Sequence, residues 1–418
     1  MTQRDEADVA IVGAGAAGLA TAVFASQARS GRVLCLDGAT HIGAKILVSG
    51  GGRCNVTNRR VTERDFNGSS PRLIRNVLRA FPADRAAGFF EQEGIRLSEE
   101  DDGKLFPASH RSRDVRDALL AAAAREGALV QSASRVTALE RHGERWVVSV
   151  EGRAPVSAAA VVLATGGQSL PKSGSDGNGY QLARGLGHSI VPTTPALVPL
   201  LVDDPLCATL SGVSHRAEMR VVLAGRVTVA LEGPILWTHF GVSGPLALDA
   251  SRHWLRAGLT QSEVQVQLAV LPGMTFDAVE QWLLEQQRER PRALVLTVLG
   301  SRLPQAVAEA WLSRSSISRD TTVSTLTRDA RRRLVHALTG LSLPVTGSRG
   351  YNFAEVTAGG VPLAEVDTAT MASRVCPGLY LVGELLDVDG RLGGFNFQWA
   401  WSTAWVAGQA LGRRLTEA

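Results

Sequence analysis

Gly13, Gly15 and Gly18 stand in a GxGxxG spacing, and Asp37 follows 19 residues beyond the last of them. Such a set can hold a pyrophosphate and a ribose. The first glycine permits a tight turn, the second lets the backbone approach the phosphates, and the third lets a helix pack closely on a strand. Ala16 and Ala17 open the segment whose N-terminal N–H groups would face the anion. Asp37, followed by Gly38, is placed to accept hydrogen bonds from ribose hydroxyls.

Other residues extend this chemistry. The stretch SGGGRCNVTN, Ser49 to Asn58, joins Gly50, Gly51 and Gly52, which permit close backbone approach, to the polar Ser49 and Asn55 and to Arg53, whose fork suits a phosphate. Cys54 is either a redox thiol or a buried thiol in contact with a cofactor. Ala164-Thr165-Gly166-Gly167 and Gly383-Glu384 each follow an apolar run. A flavin dinucleotide carries ribityl hydroxyls between pyrophosphate and ring, and Glu384 is the acid expected to meet them. Gly393-Gly394, with Phe395 and Asn396, lead into an aromatic-rich segment whose N-terminus would favour negative charge on a reduced flavin ring. Its Trp399, Trp401 and Trp405 read as core packing rather than ring stacking. His239, in WTHFGVSGP, is a proton donor or a histidine bonded to its own turn, and Tyr351 is the alternative donor.

These residues need elements to position them. Val9–Val12 and Val33–Leu36 read as buried strands around an Ala-rich helix, a βαβ unit. Residues 71–93 and 114–126 read as helices. Segments 128–131, 134–139 and 146–150 read as strands, and 158–164 and 378–383 as buried strands. Beyond Pro192–Pro199 the pattern changes to period two: Val264, Val266, Leu268 and Val270 share one face, as do Ala217, Met219, Val221 and Leu223. Helical patterns follow at 276–287, 304–313 and 328–338. The simplest organisation is a dinucleotide domain, residues 1–190 and 348–418, interrupted by a β-rich and helical module, residues 191–347.

Composition sets bounds on partners. The chain has 418 residues, 45% hydrophobic and 20% charged, with a net charge of +4. Lysine occurs only at positions 45, 104 and 172, and the arginines are dispersed rather than gathered in a stripe. No nucleic-acid partner is therefore expected, nor a membrane. Four separated cysteines and an N-terminus without a signal pattern point to free thiols in the cytoplasm. No metal-ligand spacing is present. Oligomeric state is not legible.

The ordered set GAGAAG, KILVSGGGRCNVTN, ATGG with PKSGSDGNGY, THFGVSGP, EVTAGGV and GLYLVGELLDVDGRLGGFNFQWAWSTAWVAG spans the chain. In these motifs it resembles the aminoacetone oxidase-like, bile-acid enone reductase-like family of FAD-dependent flavoproteins. The resemblance implies an α/β fold: a glutathione-reductase-like FAD-binding Rossmann domain of three layers (ββα), interrupted by an inserted β-barrel with a helical part. It also implies FAD as cofactor, with NADH or NADPH as electron donor in some members. Lys45, through the motif it opens, and Val136 complete the expected cofactor contacts. Asp37 stands where the family usually has Glu, and Phe395-Asn396-Phe397 where Tyr-Asn-Leu is usual. The expected activity is hydride transfer between flavin N5 and a small organic substrate, most concretely reduction of an activated C=C bond. The alternatives are an amine or alcohol oxidase and, in another class, a flavin-containing RNA-modifying or RNA-binding factor.

Overall fold

Val9, Ala10 and Ile11 are fully buried because their strand is covered on both faces, which is why the sequence shows an unbroken apolar run there. The computed structural model describes residues 5–29, 31–261 and 263–416. Chain contacts divide it into two compact units, one formed by the chain up to Pro195 and from Ala354 onward, the other by Ala196–Phe353. The sequence borders at 190/191 and 347/348 fall a few residues before these divisions.

The first unit is built on β1 (Asp5–Val12), α1 (Ala16–Gln27), β2 (Val33–Leu36), α2 (Ala44–Gly52), β3 (Val156–Leu163), β4 (Val356–Gly360), β5 (Leu379–Leu381) and α3 (Phe395–Thr416). Its main sheet runs β5-β3-β1-β2 in parallel, continued beyond β2 by residues 129–131. The antiparallel pair 136–142 and 145–150 joins it through β3. Register fixes the rest of the site. Val12 pairs with both Leu163 and Leu36, and Leu163 pairs with Leu381. Four strands therefore end on one line, and the residues that follow them, Gly13, Asp37, Ala164 and Val382, emerge side by side.

The fold is that of a Rossmann-type α/β domain. α1 and α3 pack closely because Gly408 faces the backbone of α1: a Cβ there would lie 2.7 Å from Phe24 Cβ. Trp399 and Trp401 are buried in the core, and Trp405 packs on Phe24 and Phe81. One helix expected over 71–93 is instead two, Pro71–Ala80 and Ala83–Gln92. Pro82 lacks the N–H that a continuous helix needs and restricts Phe81 to extended backbone, so the break falls between them.

The second unit holds a seven-stranded antiparallel sheet in the order 341–343, 264–269, 214–223, 226–238, 241–243, 200–202, 345–348. Its two edge strands are separated in sequence only by Pro344, so the sheet must curl until its edges approach. No ladder joins those edges among the described residues. The barrel implied by the resemblance is thus an open, curled sheet, packed with helices that include Gly244–Ala257, Phe276–Glu289 and Arg328–Gly340. Val266 and Leu268 are buried as the period-two pattern requires, whereas Val264 is half-buried and Ala269, expected on the other face, is buried as well.

Candidate functional site

Where β1 meets α1, the chain turns so tightly that only glycine fits at two of the three fingerprint positions. A Cβ on Gly18 would lie 1.8 Å from the Gly13 carbonyl oxygen, and one on Gly13 would lie 2.6 Å from that of Ala164. Gly15 differs: a Cβ there would meet nothing within 4 Å. Gly15 is also the N-cap of α1 and offers no side-chain cap to the helix. The first turn thus presents N–H groups and a positive dipole end to open space. Asp37 closes one side, its carboxylate accepting from Ala14 N at 2.6 Å and Ala39 N at 2.7 Å. Gly38 packs on the Arg135 stem. Val136 is buried, and its carbonyl accepts from Asn178 Nδ2.

A second cluster gathers at the ends of β3 and β5. Lys45, at the start of α2, is ion-paired with Glu384 and donates to Ser169 Oγ. Ser169 Oγ donates to Glu384 Oε1 at 2.9 Å, and the same oxygen accepts Thr357 N at 2.9 Å. Thr357 Oγ1 in turn accepts Gln168 N at 2.7 Å and Ser169 N at 3.1 Å. Gly167 leaves room for this knot, since a Cβ there would lie 2.5 Å from Thr357 Oγ1. Ser169 and Thr357 were absent from the cofactor contacts expected from sequence. Their signal was proximity to ATGG and AGG, which polarity alone does not separate from ordinary turns.

FAD fits these residues on observations of the chain itself. The uncapped helix end over the open Gly15 suits a pyrophosphate. Beside it, the hydroxyls of Thr165 and Ser175 are buried with no hydrogen-bond partner among the described residues. Gly51 likewise faces open space at the end of α2.

Several of the expected residues have partners within the chain. Ser49–Gly52 is not a free loop but the distorted C-terminal end of α2, with Gly50 and Gly51 left-handed. Ser49 Oγ donates to Ile46 O. Arg53 pairs with Glu100 through one guanidinium nitrogen at 2.6 Å and lies over the Phe106 ring. Asn55, in the amide orientation that satisfies both its ends, donates to Thr57 O and accepts Gly394 N. Phe395 is buried against Phe66, and Gly393 packs on the Phe395 ring. Asn396 binds its own loop, accepting Gly390 N at 2.8 Å and donating to Gly390 O at 2.9 Å. Cys54 is fully buried, and desolvation pushes its thiol up to about 12 despite a hydrogen bond with Ser49. A thiolate there is corrected to an inert thiol.

His239 and Tyr351 lie in the second unit. His239 is exposed in the turn between the strands 226–238 and 241–243, its ring edge-on to Phe240 at 5.1 Å. Arg349 lies over Phe240 and over Phe353, which brings the short helix Tyr351–Phe353 to the same edge of the module. Among the described residues, no group of three or more His, Cys, Asp or Glu side chains is placed to hold a metal ion. No helix among them is long and apolar enough to cross a membrane.

The chain has relatives among known proteins. It matches the family described as HI0933-like protein Rossmann domain over residues 7–410. It is 33% identical to a 3-dehydro-bile acid delta(4,6)-reductase of Clostridium scindens over 407 residues, covering 97% of this chain and 99% of that protein. It is 34% identical to a ribosomal RNA dihydrouridine synthase of Escherichia coli over 404 residues, covering 97% and 98%. Among solved structures, a 3-ketosteroid-delta4-(5alpha)-dehydrogenase from Rhodococcus jostii RHA1 shares the fold, with a TM-score of 0.51 at 15% identity over 99% of this chain and 98% of that one. The strand-end cradle, the family match and the full-length relatives agree, and the chain belongs to the HI0933-like Rossmann, FAD-binding family of oxidoreductases.

Proposed function

We propose that this FAD-dependent oxidoreductase saturates a carbon–carbon double bond conjugated to a carbonyl. When bound, FAD supplies the hydride chemistry, and NADH or NADPH serves as transient donor, because the sequence carries one dinucleotide fingerprint only. The chain's own residues bind and orient. The N-terminus of α1 and Asp37 hold pyrophosphate and ribose, and Glu384, fixed by Lys45, Ser169 and Thr357, meets the ribityl hydroxyls. His239 delivers the proton to the carbon far from the hydride, with Tyr351 as the alternative donor. The four cysteines, all free thiols, suit the reducing cytoplasm.

One observation carries this reading. The two relatives of nearly equal similarity are named for different substrates, yet a delta(4,6)-reductase of a 3-oxo compound and a dihydrouridine synthase perform the same bond change. Each adds two hydrogens across a C=C conjugated to a carbonyl. A small-molecule enone is the first substrate reading. A uracil ring within RNA is the second, favoured by the 34% identity to the protein named for ribosomal RNA.

Anaerobic mixing of the FAD-loaded protein with NADH or NADPH tests the donor, and bleaching of the flavin is expected. Adding a 3-oxo-4,6-diene steroid acid or an oligouridylate is then expected to restore the colour and give a product heavier by two hydrogens. Peroxide formation with amines or alcohols, with both alkenes untouched, would replace the reductase by an oxidase.

A further inference from the structure

Arg349 follows the edge strand 345–348 of the curled sheet, and its backbone N–H is bound to Pro199 O at 3.0 Å. Its guanidinium lies 3.4 Å from the centroid of the Phe353 ring and 4.7 Å from that of Phe240. Two aromatic rings thus contact the planar cation and fix its orientation. The N–H edge is left over. Among the described residues no carboxylate, carbonyl or hydroxyl accepts a hydrogen bond from it. Two other arginines of the same unit are matched, Arg216 with Glu232 at 2.9 Å and Arg314 with Asp204 at 2.9 Å. Phe353 is 48% exposed, a large apolar surface beside the unmatched cation. His239 extends the same row through its edge contact with Phe240.

A guanidinium clamped by rings and unmatched at its donor edge is built for a planar oxyanion, which it binds with two parallel hydrogen bonds. The exposed Phe353 face suits a flat or apolar ring attached to that anion. We infer that Arg349, with Phe240 and Phe353, forms an oxyanion-recognition site on the inserted module that selects substrates carrying a carboxylate or phosphate next to a ring system. The inference rests on the reductase reading for the ring it expects. The clamp itself is a claim about binding.

The test is equilibrium binding to the FAD-loaded protein with matched probes: a 3-oxo-4,6-diene steroid acid against its methyl ester, and oligouridylate against uridine. In at least one pair, the charged member is expected to bind about tenfold or more tightly than the neutral one, as loss of a charge-assisted hydrogen-bonded partner implies. Arg349→Ala removes that difference without weakening the neutral probe. Arg349→Lys retains part of it, because charge survives while the fork is lost. The pair that responds identifies the source of the anion. Melting temperatures confirm that both variants fold, and mapping of phenylglyoxal adducts on the wild type reads the site without mutation: the charged probe slows modification at Arg349. Equal binding of charged and neutral probes, a difference that persists in Arg349→Ala, or unprotected Arg349 would overturn the clamp. Double-bond reduction is scored separately. Arg349-dependent binding without any reduction would sink the reductase reading and leave the clamp standing.

Discussion

Cys54 shows how burial sets chemistry at the scale of one residue. The sequence left it as a redox thiol or a buried one, and full burial pushes it up to about 12, where no thiolate forms near neutrality. Cys54→Ser should keep flavin reduction and turnover within about twofold of wild type, and Ellman's reagent should label position 54 only after unfolding. A loss of turnover larger than tenfold would restore a chemical role. His253 carries a different consequence. Burial, with Arg252 beside it, pulls its imidazole down to about 4 from 6.5. A base held below its unfolded value contributes most when neutral. That contribution is whole above 6.5 and declines as pH falls toward 4, because the unfolded chain takes up the proton first. The decline amounts to about 3 kcal/mol at most for a shift of this size. Denaturant midpoints measured between pH 7 and pH 4.5 should fall, and His253→Asn should flatten the slope. A wild-type slope unchanged by that substitution would contradict the assignment.

At the scale of elements, close approach of helices and strands decides what the sequence can reveal. Gly408 sits where α3 meets α1, with a Cβ position 2.8 Å from Ala25 N. Gly408→Leu should therefore lower stability by about 2–4 kcal/mol through overpacking. Chemical denaturation reads this directly, and a change under about 0.5 kcal/mol would mean that the helices separate easily. The fingerprint glycines, the buried strands and the helix over 114–126 were legible because each depends on neighbours in sequence; that helix forms over Ser112–Arg125. The pairing of Lys45 with Glu384 spans 339 positions, and no local pattern announces it. The Asn396 amide was no more legible in its role: it closes its own loop by bonding Gly390 N. The break at Pro82 was legible in principle, since proline removes the donor that a continuous helix needs.

At the scale of the molecule, strand register does what composition cannot. Leu36, Val12, Leu163 and Leu381 lie in one row, so glycines, an aspartate and a glutamate from distant stretches reach one sheet end. The arginine clamp was invisible because Phe240 and Arg349 meet only once the strand 200–202 has paired with both 241–243 and 345–348. The family and the fold agree on FAD as the cofactor. All of this depends on the open helix end above Gly15 being where FAD binds. Gly15→Ala separates folding from binding, because a Cβ there meets no protein atom within 4 Å whereas one on Gly18 strikes the Gly13 carbonyl. FAD titration of the stripped Gly15→Ala protein, beside its melting curve, is the direct measurement. An apo-protein melting as wild type does, with FAD affinity weakened by about tenfold or more, is the predicted result; wild-type affinity for FAD in that variant would contradict the account.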